Sequence, residues 1–153
     1  MLMTIKLVVF DIDGTLTDGK VYFDSNGNVT KCYNTKDGMG IKLLRQHGYH
    51  IGVISGFQKC TAIDAMCNHL GITFRSFGNH NKLGTLYGWV NDLNITMDNV
   101  AYMGDDINDC DILKNVKLSG CPQNAMDNCK DIAHFTSLSL CGQGAVREFC
   151  EYI

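Results

Sequence analysis

Residues 7–19, LVVFDIDGTLTDG, decide the fold class of this chain. An apolar run ends on Asp11, and Asp13 and Gly14 follow within three positions. A short apolar run bounded by turn-forming residues is typical of a strand that is buried on both faces. Gly14 permits a tight turn and lets the backbone approach a ligand closely. The segment therefore predicts a buried parallel strand, residues 6–10, whose carboxyl end presents two carboxylates.

The rest of the chain alternates short apolar runs with amphipathic helical patterns. Further strands are expected at residues 51–54, 72–77, 100–103 and 116–118, and helices are expected from residues 37, 58, 82 and 108 and after residue 144. Repeated βα units with apolar strands predict a three-layer, Rossmann-like α/β fold, in which helices cover both faces of a parallel sheet. A glycine-containing loop at residues 24–28 predicts a small β-hairpin insertion, residues 20–34, after the first strand.

Composition excludes several classes of protein. A length of 153 residues with 45% hydrophobic residues predicts one domain over residues 1–153. The net charge of −3 argues against nucleic-acid and anionic-membrane partners, and no apolar run approaches the roughly 20 residues of a membrane span. The chain has eight cysteines and no CxxC pair, which argues against a zinc knuckle and favours reduced thiols in a cytoplasmic protein.

A second acidic motif, GDDIND at residues 104–109, follows the strand expected at residues 100–103. Because the carboxyl ends of parallel strands meet at one edge of a sheet, its carboxylates should face those of the first strand. Such a density of negative charge requires a cation, and ligands that are all oxygen suit Mg²⁺. The two motifs together predict a magnesium site.

Two further positions suit phosphate chemistry. Ser55 and Gly56 follow the strand at residues 51–54, and a hydroxyl with backbone N–H groups there can hold a phosphoryl oxygen. Lys82 opens the helix after the strand at residues 72–77, where an ammonium can neutralise both a carboxylate and a phosphoryl group.

In this order the motifs resemble those of the haloacid dehalogenase superfamily of phosphatases. The first superfamily motif, DxDGT, matches residues 11–15, and the fourth, GDDxxD, matches residues 104–109. Ser55 matches the hydroxyl residue of the second motif, and Lys82 matches the lysine of the third. The resemblance covers the whole chain in order.

The resemblance implies a role for each acidic residue. Asp11 would be the nucleophile that forms an aspartyl-phosphate, and Asp13 would be the general acid and base. Asp11, the backbone carbonyl of Asp13 and Asp105 would hold Mg²⁺, with Asp106 or Asp109 in support. Lys82, Ser55 and Gly56 would bind the phosphoryl group.

The spacing leaves no room for a cap domain, because only 44 positions lead from Asp11 to Ser55 and 27 from Ser55 to Lys82. The chain is similar to the capless sugar-acid phosphatases, which include the 3-deoxy-manno-octulosonate 8-phosphate and the nonulosonate 9-phosphate phosphatases. The similarity lies in residues 16–19, 21–41 and 142–148.

That branch implies a phosphorylated sugar acid as substrate and a homotetramer in which the hairpins associate. The tail, residues 141–153, would reach a neighbouring subunit, and Lys36 and Arg147 would be substrate or interface residues. The octulosonate enzymes usually carry Arg after the glycine of the second motif, whereas this chain has Phe57, which cannot pair with a sugar carboxylate.

Other readings of the sequence stay open. The substrate range could be another or a broad set of sugar phosphates. A non-catalytic assembly or regulatory module could keep the same fold, although Asp11, Asp13 and Lys82 are all present. A receiver domain of a signalling relay is disfavoured, because such domains lack Asp-x-Asp-Gly after the first strand.

Overall fold

A computed structural model describes residues 4–153. In chain order its strands, β1 to β8, are Leu7–Phe10, Tyr22–Phe23, Val29–Thr30, His50–Ser55, Phe74–Phe77, Val100–Met103, Leu118–Cys121 and Phe135–Thr136. Its helices, α1 to α6, are Thr35–Gln46, Thr61–Leu70, Lys82–Asp92, Cys110–Asn115, Asp127–Ile132 and Ala145–Tyr152.

Six strands form one parallel sheet in the order β5-β4-β1-β6-β7-β8. Strand β1 lies between β4 and β6, and Phe10 is in register with Val53 on one side and Met103 on the other. All strands of the sheet therefore end at the same edge, as the alternating pattern predicted. The residues that follow β1, β4 and β6 are brought together there.

The apolar strand β1 is buried on both faces, which confirms the three-layer fold. Val8 and Phe10 pack in a cluster with apolar residues of α1, α2 and α6. Leu7 and Val9 pack in a second cluster with residues of α3, α4 and α5. Because successive side chains of a strand point to opposite faces, this run of four apolar residues contributes to both cores.

The sheet has one strand more than the sequence predicted. Strand β8 has only two residues, Phe135 and Thr136, which is too short to give a periodic signal. The strand expected at residues 116–118 lies instead at Leu118–Cys121. Its middle holds Gly120, a residue unfavourable in strands, because the Phe149 ring occupies the place of a side chain: a Cβ there would lie 2.6 Å from that ring.

Some helices begin at other residues than expected. Helix α1 begins at Thr35 rather than residue 37, because the Asn34 side chain accepts a hydrogen bond from the Lys36 N–H at 2.8 Å and so caps the helix. Helix α2 begins at Thr61 rather than residue 58.

The predicted hairpin is present as β2 and β3, which pair antiparallel. Between β1 and α1 the chain forms a turn and this hairpin, and between β4 and α3 it forms only α2, β5 and their loops. The described residues therefore contain no cap domain in either interval. Within residues 4–153 no helix has both the length and the apolar character needed to cross a bilayer.

Candidate active site

Asp11 lies at the carboxyl edge of the sheet, directly after β1, with its side chain buried. Its backbone N–H continues the pairing of β1 with β6 by donating to the Met103 carbonyl at 2.9 Å. Its carboxylate accepts a hydrogen bond from the Lys82 ammonium at 2.8 Å. The most buried carboxylate of the first motif is therefore held by both backbone and side-chain contacts.

Lys82 joins the first and fourth motifs from the first residue of α3. Its ammonium lies 2.8 Å from an oxygen of Asp11 and 2.8 Å from an oxygen of Asp109, and its side chain is almost completely buried. Burial alone lowers the pKa of Lys82, but the charges of the two carboxylates outweigh it, so the pKa lies above its usual value. The lysine is a fixed positive charge between two carboxylates.

Asp109 organises the loop of the fourth motif and is completely buried. One carboxylate oxygen accepts from Lys82 and, at 2.5 Å, from the Tyr102 hydroxyl. The other accepts from the backbone N–H groups of Asp105 at 2.9 Å and Asp106 at 3.2 Å. With four donors on its two oxygens, Asp109 fixes the loop that carries Asp105.

Two glycines make room for these carboxylates. A Cβ on Gly104 would lie 2.4 Å from the carboxyl carbon of Asp109, and a Cβ on Gly14 would lie 2.1 Å from an oxygen of Asp105. Gly14 also has a φ of +83°, in the left-handed region that favours glycine. Both positions therefore require glycine for the acidic side chains to occupy their places.

Asp11, Asp105 and Asp109 form a cluster that fits a divalent cation. Each offers an oxygen within 4.8 Å of the others. The pKa of Asp11 lies well above its usual value, first because of burial and then because of the neighbouring charge of Asp109. Burial also raises the pKa of Asp105. Carboxylates forced together in this way gain most from a hard cation such as Mg²⁺.

Asp13 faces a lysine from the hairpin. The Lys31 ammonium lies 2.6 and 2.8 Å from the two carboxylate oxygens of Asp13 and 3.6 Å from the centre of the Phe57 ring. The Lys31 side chain is nearly buried, with 5% of its surface exposed. Asp13 is therefore held in one orientation by a bidentate contact, and Phe57 covers the lysine.

Ser55 is the last residue of β4 and is buried. Its hydroxyl oxygen accepts a hydrogen bond from the Phe57 N–H at 3.1 Å, so its own hydrogen stays available to a ligand. A single crevice is lined by Asp11, Asp13, Ser55, Gly56, Phe57, His80, Asp105, Asp106 and Asn108. The buried Lys82 and Asp109 are joined to it through the contact of Lys82 with Asp11.

Asp106 lines the crevice, whereas Lys36 and Arg147 do not. The Asp106 carboxylate is exposed and accepts from the Ile107 N–H at 2.7 Å, which caps the turn that follows. Lys36 is exposed at the start of α1 and does not line the crevice. Arg147 lies on α6, where it pairs with Glu151 at 2.7 Å and donates to the Lys36 carbonyl.

Three polar residues at or near the site, Lys31, Tyr102 and Asp37, could not be predicted from the sequence. Lys31 carries no motif, and Tyr102 resembles any other core residue of a strand. Asp37 is completely buried, and its carboxylate accepts from the Arg147 N–H at 2.9 Å at the start of α6. An acidic residue in the first turn of a helix gives no sequence signal that it will bind a second helix.

A family model of the haloacid dehalogenase-like hydrolases matches residues 76–149. The 3-deoxy-D-manno-octulosonate 8-phosphate phosphatase of Escherichia coli strain K12 is 34% identical over 149 residues, which cover 97% of this chain and 79% of that protein. The chain belongs to this family of phosphatases. It is therefore a phosphatase of the haloacid dehalogenase superfamily, as its motifs predicted.

Solved structures agree with this assignment. The phosphatase of the same name from Moraxella catarrhalis, solved with a magnesium ion, a phosphate ion and a KDO molecule, superposes with a TM-score of 0.93 at 32% identity, over 97% of this chain and 84% of that one. The phosphatase from Yersinia pestis gives 0.93 at 32% identity, over 96% and 79%. The capless fold is thus that of known phosphatases.

Proposed function

We propose that this phosphatase hydrolyses the phosphomonoester of a sugar acid, 3-deoxy-D-manno-octulosonate 8-phosphate, with Mg²⁺ and through an aspartyl-phosphate on Asp11. The observation that carries the proposal is the buried contact of Lys82 with Asp11 and Asp109, beside Asp105, at the edge of the sheet. It supplies a nucleophile, a fixed positive charge and a cation site within one crevice.

Asp11 is proposed as the nucleophile because it lies at the floor of the crevice and is held on one side by Lys82. Its carboxylate oxygen attacks phosphorus, the bond to the leaving oxygen breaks, and an acyl phosphate forms. Water then attacks the phosphorus of this intermediate and releases phosphate. Dividing hydrolysis into two displacements is the advantage of covalent catalysis.

Asp13 is proposed to give a proton to the leaving oxygen and then to take one from the attacking water. It lies two residues after the nucleophile and lines the same crevice. The bidentate contact with Lys31 is proposed to orient Asp13 as the carboxylate that takes the proton, which makes Lys31 a positioning residue. The acid form that protonates the leaving oxygen would keep only one of the two contacts, because its other oxygen carries the proton.

Lys82 and Ser55 are proposed to bind the equatorial oxygens of the phosphoryl group. An ammonium has three hydrogens, and two of those of Lys82 are used by Asp11 and Asp109, so one stays available. The Ser55 hydroxyl and the backbone of Gly56 complete this subsite from the end of β4. These donors act where negative charge increases in the transition state.

Asp11, Asp105 and the backbone carbonyl of Asp13 are the proposed ligands of Mg²⁺. Asp109 would support them by fixing the Asp105 loop, and Asp106, which lines the same crevice, would add negative charge beside them. When bound, Mg²⁺ supplies positive charge that offsets the carboxylates and the phosphoryl group.

The octulosonate substrate is supported by relatives that carry this name and match nearly the whole chain. Phe57 lines the crevice at the position where octulosonate enzymes usually carry Arg, and this departure favours a second candidate. A nonulosonate 9-phosphate, or another sugar phosphate, is therefore the alternative. A non-catalytic role finds no support, because every side chain of the proposed mechanism is in place.

We further propose that the chain acts as one domain in a homotetramer in the cytoplasm. Tyr22 and Phe23 of the hairpin are 53% and 67% exposed, as residues that pack against another subunit would be. Lys36, Arg147 and the tail would then act at the neighbouring site. All eight cysteines are free thiols, which suits a reducing compartment. Light scattering of the purified protein tests the tetramer.

The test of the proposed activity is phosphate release from octulosonate 8-phosphate, nonulosonate 9-phosphates and p-nitrophenyl phosphate, with Mg²⁺ or with EDTA. We expect the octulosonate ester to be turned over with the highest kcat/KM, and EDTA and Asp11→Asn to abolish turnover. Asp92→Asn, an exposed carboxylate at the end of α3, is the matched control. Equal turnover by Asp11→Asn and wild type would contradict the mechanism, and preference for a nonulosonate ester would replace the substrate.

A further inference from the structure

Two polar side chains of the crevice have no partner in the described part of the chain. Neither the His80 ring nor the Asn108 amide makes a hydrogen bond there, and both line the crevice beside the phosphate subsite. They converge on one point: a Cβ built on Gly56 would lie 3.8 Å from the His80 Nδ1 and 3.8 Å from the Asn108 Nδ2. Gly56 adjoins Ser55, so the pair stands next to the proposed phosphoryl site.

The loop that carries His80 is held by hydrogen bonds of the residues on either side, and the His80 side chain is exposed. The Gly78 N–H donates to the carbonyls of Ser55 and Phe57 at 3.0 and 2.9 Å, which ties the loop before α3 to the loop after β4. Asn79 donates to Thr85, and the Asn81 side chain accepts from the Gly84 N–H at 3.0 Å. His80 alone among the three side chains of residues 79–81 is left to face the crevice.

Asn108 is placed in the same way by the fourth motif. The side chains of Asp106 and Asp109 form reciprocal caps on the turn at Ile107–Asp109. Both acidic side chains thus accept hydrogen bonds within the turn, whereas the Asn108 amide between them makes none in the described part of the chain. The contacts of their neighbours hold the backbone of both residues at the crevice, and their exposed side chains stay available to a substrate.

The charge of the crevice indicates what His80 binds. Four of the lining residues are aspartates, and among the lining residues that the structure describes, His80 alone can carry a positive charge. The two nearby lysines already form ion pairs: Lys31 pairs with Asp13, and Lys82 pairs with Asp11 and Asp109. A sugar acid whose carboxylate enters this crevice therefore meets one cationic group that is not already paired, the His80 ring.

We infer that His80, assisted by the Asn108 amide, recognises the carboxylate of the sugar acid and determines specificity for it. This inference rests on the proposed function. Phe57 stands beside Gly56, and its side chain has no hydrogen-bond donor for a carboxylate. The donors must therefore come from the loop before α3, which carries His80, and from Asn108. His80 and Asn108 would donate N–H groups to the carboxylate, whereas Lys82 and Ser55 bind the phosphoryl group.

The experiment compares octulosonate 8-phosphate with p-nitrophenyl phosphate, an ester without a carboxylate. The readout is the ratio of the two kcat/KM values for wild type, His80→Ala, His80→Gln and Asn108→Ala. Loss of one charge-assisted hydrogen bond lowers affinity about tenfold, so the ratio for His80→Ala should fall about tenfold, mainly through KM. His80→Gln keeps a donor without the charge and should fall between the two. His47→Ala, in an exposed histidine that bonds the Leu43 carbonyl at the far end of α1, is the matched control.

The outcomes separate the two proposals. If wild type does not hydrolyse octulosonate 8-phosphate while it hydrolyses p-nitrophenyl phosphate, the proposed substrate fails, and the role of His80 fails with it. If wild type hydrolyses the sugar ester and His80→Ala leaves the ratio within twofold of wild type, only the role of His80 is overturned. A fall of both kcat/KM values by the same factor also overturns it, because His80 would then support the whole site.

Discussion

Replacing Lys82 by Met tests the charge arrangement of the site, because Met keeps most of the length of the side chain and loses the ammonium. In the wild type this ammonium holds Asp11 and Asp109 at 2.8 Å each, with 3% of the residue exposed. Its removal leaves two buried carboxylates without their positive partner. Breaking a buried ion pair by removing one partner costs about 3–5 kcal/mol in free energy of unfolding.

The loss should depend on pH. The folded-state pKa of Asp11 already lies above its usual value because of burial and Asp109, and Lys82 opposes that rise. Without Lys82 the pKa of Asp11 rises further, so the folded variant holds a proton that the unfolded chain releases above about pH 4. The free energy of unfolding of Lys82→Met should therefore fall as the pH rises, and its deficit against wild type should be larger at pH 8 than at pH 5.

The assay is urea and thermal unfolding in EDTA at pH 5 and pH 8, with Lys117→Met as a control at an exposed lysine. For a chain of this length about 2–4 °C corresponds to 1 kcal/mol, so the midpoint at pH 8 should fall by roughly 6–20 °C. A deficit below about 1 kcal/mol at pH 8, or one that is larger at pH 5, would refute the buried charge arrangement.

Three further changes give separate tests. Gly14→Ala should lower both Mg²⁺ affinity and kcat at least about tenfold, because its Cβ would meet Asp105. Gly27→Ala, at a φ of +80° with no atom within 4 Å of the new Cβ, should cost only the backbone strain of about 1 kcal/mol. Isothermal titration with Mg²⁺ and enzyme kinetics compare the two variants, and equal effects would contradict the role of Gly14. Tyr102→Phe should lower the free energy of unfolding by about 1.5–3 kcal/mol by removing a buried hydrogen bond to a carboxylate, and an unchanged urea midpoint would argue against it. Burial raises the pKa of Asp37, so the free energy of unfolding of wild type should fall as the pH rises above about 4. Asp37→Asn cannot ionise, so its free energy of unfolding should rise relative to that of wild type between about pH 4 and pH 7. A difference between the two proteins that does not change with pH would show that Asp37 is not the cause.

The parts of the fold that the sequence predicted are those with a strong local signal. The buried strand β1 was recognised because four apolar residues lie between turn signals, and its neighbours β4 and β6 have the same character. Strand β8 was missed because two residues carry no periodicity. The start of α1 was displaced because the Asn34 cap precedes the apolar pattern that defines the helix.

The sequence could predict that the acidic residues and Lys82 lie together, because the acidic motifs follow β1 and β6 and Lys82 opens the helix after β5. The parallel topology brings these strand ends to one edge. Lys31 was missed because its contact with Asp13 exists only once the hairpin folds back over the crevice, which spacing along the chain does not reveal. Tyr102 was missed because its hydroxyl meets its partner, the Asp109 carboxylate, only in the folded chain. His80 was missed for the same reason, since it meets Asn108 only in the folded chain.

The central claim is that Asp11 becomes phosphorylated during turnover. Quenching the enzyme in acid at steady state with its sugar-phosphate substrate, reducing the acyl phosphate with borohydride and mapping the peptides by mass spectrometry identifies the modified residue. We expect homoserine in place of Asp11, only in the presence of substrate and Mg²⁺, and none in Asp11→Asn. Homoserine at Asp13 or at another carboxylate, or full turnover without any modified residue, would contradict it.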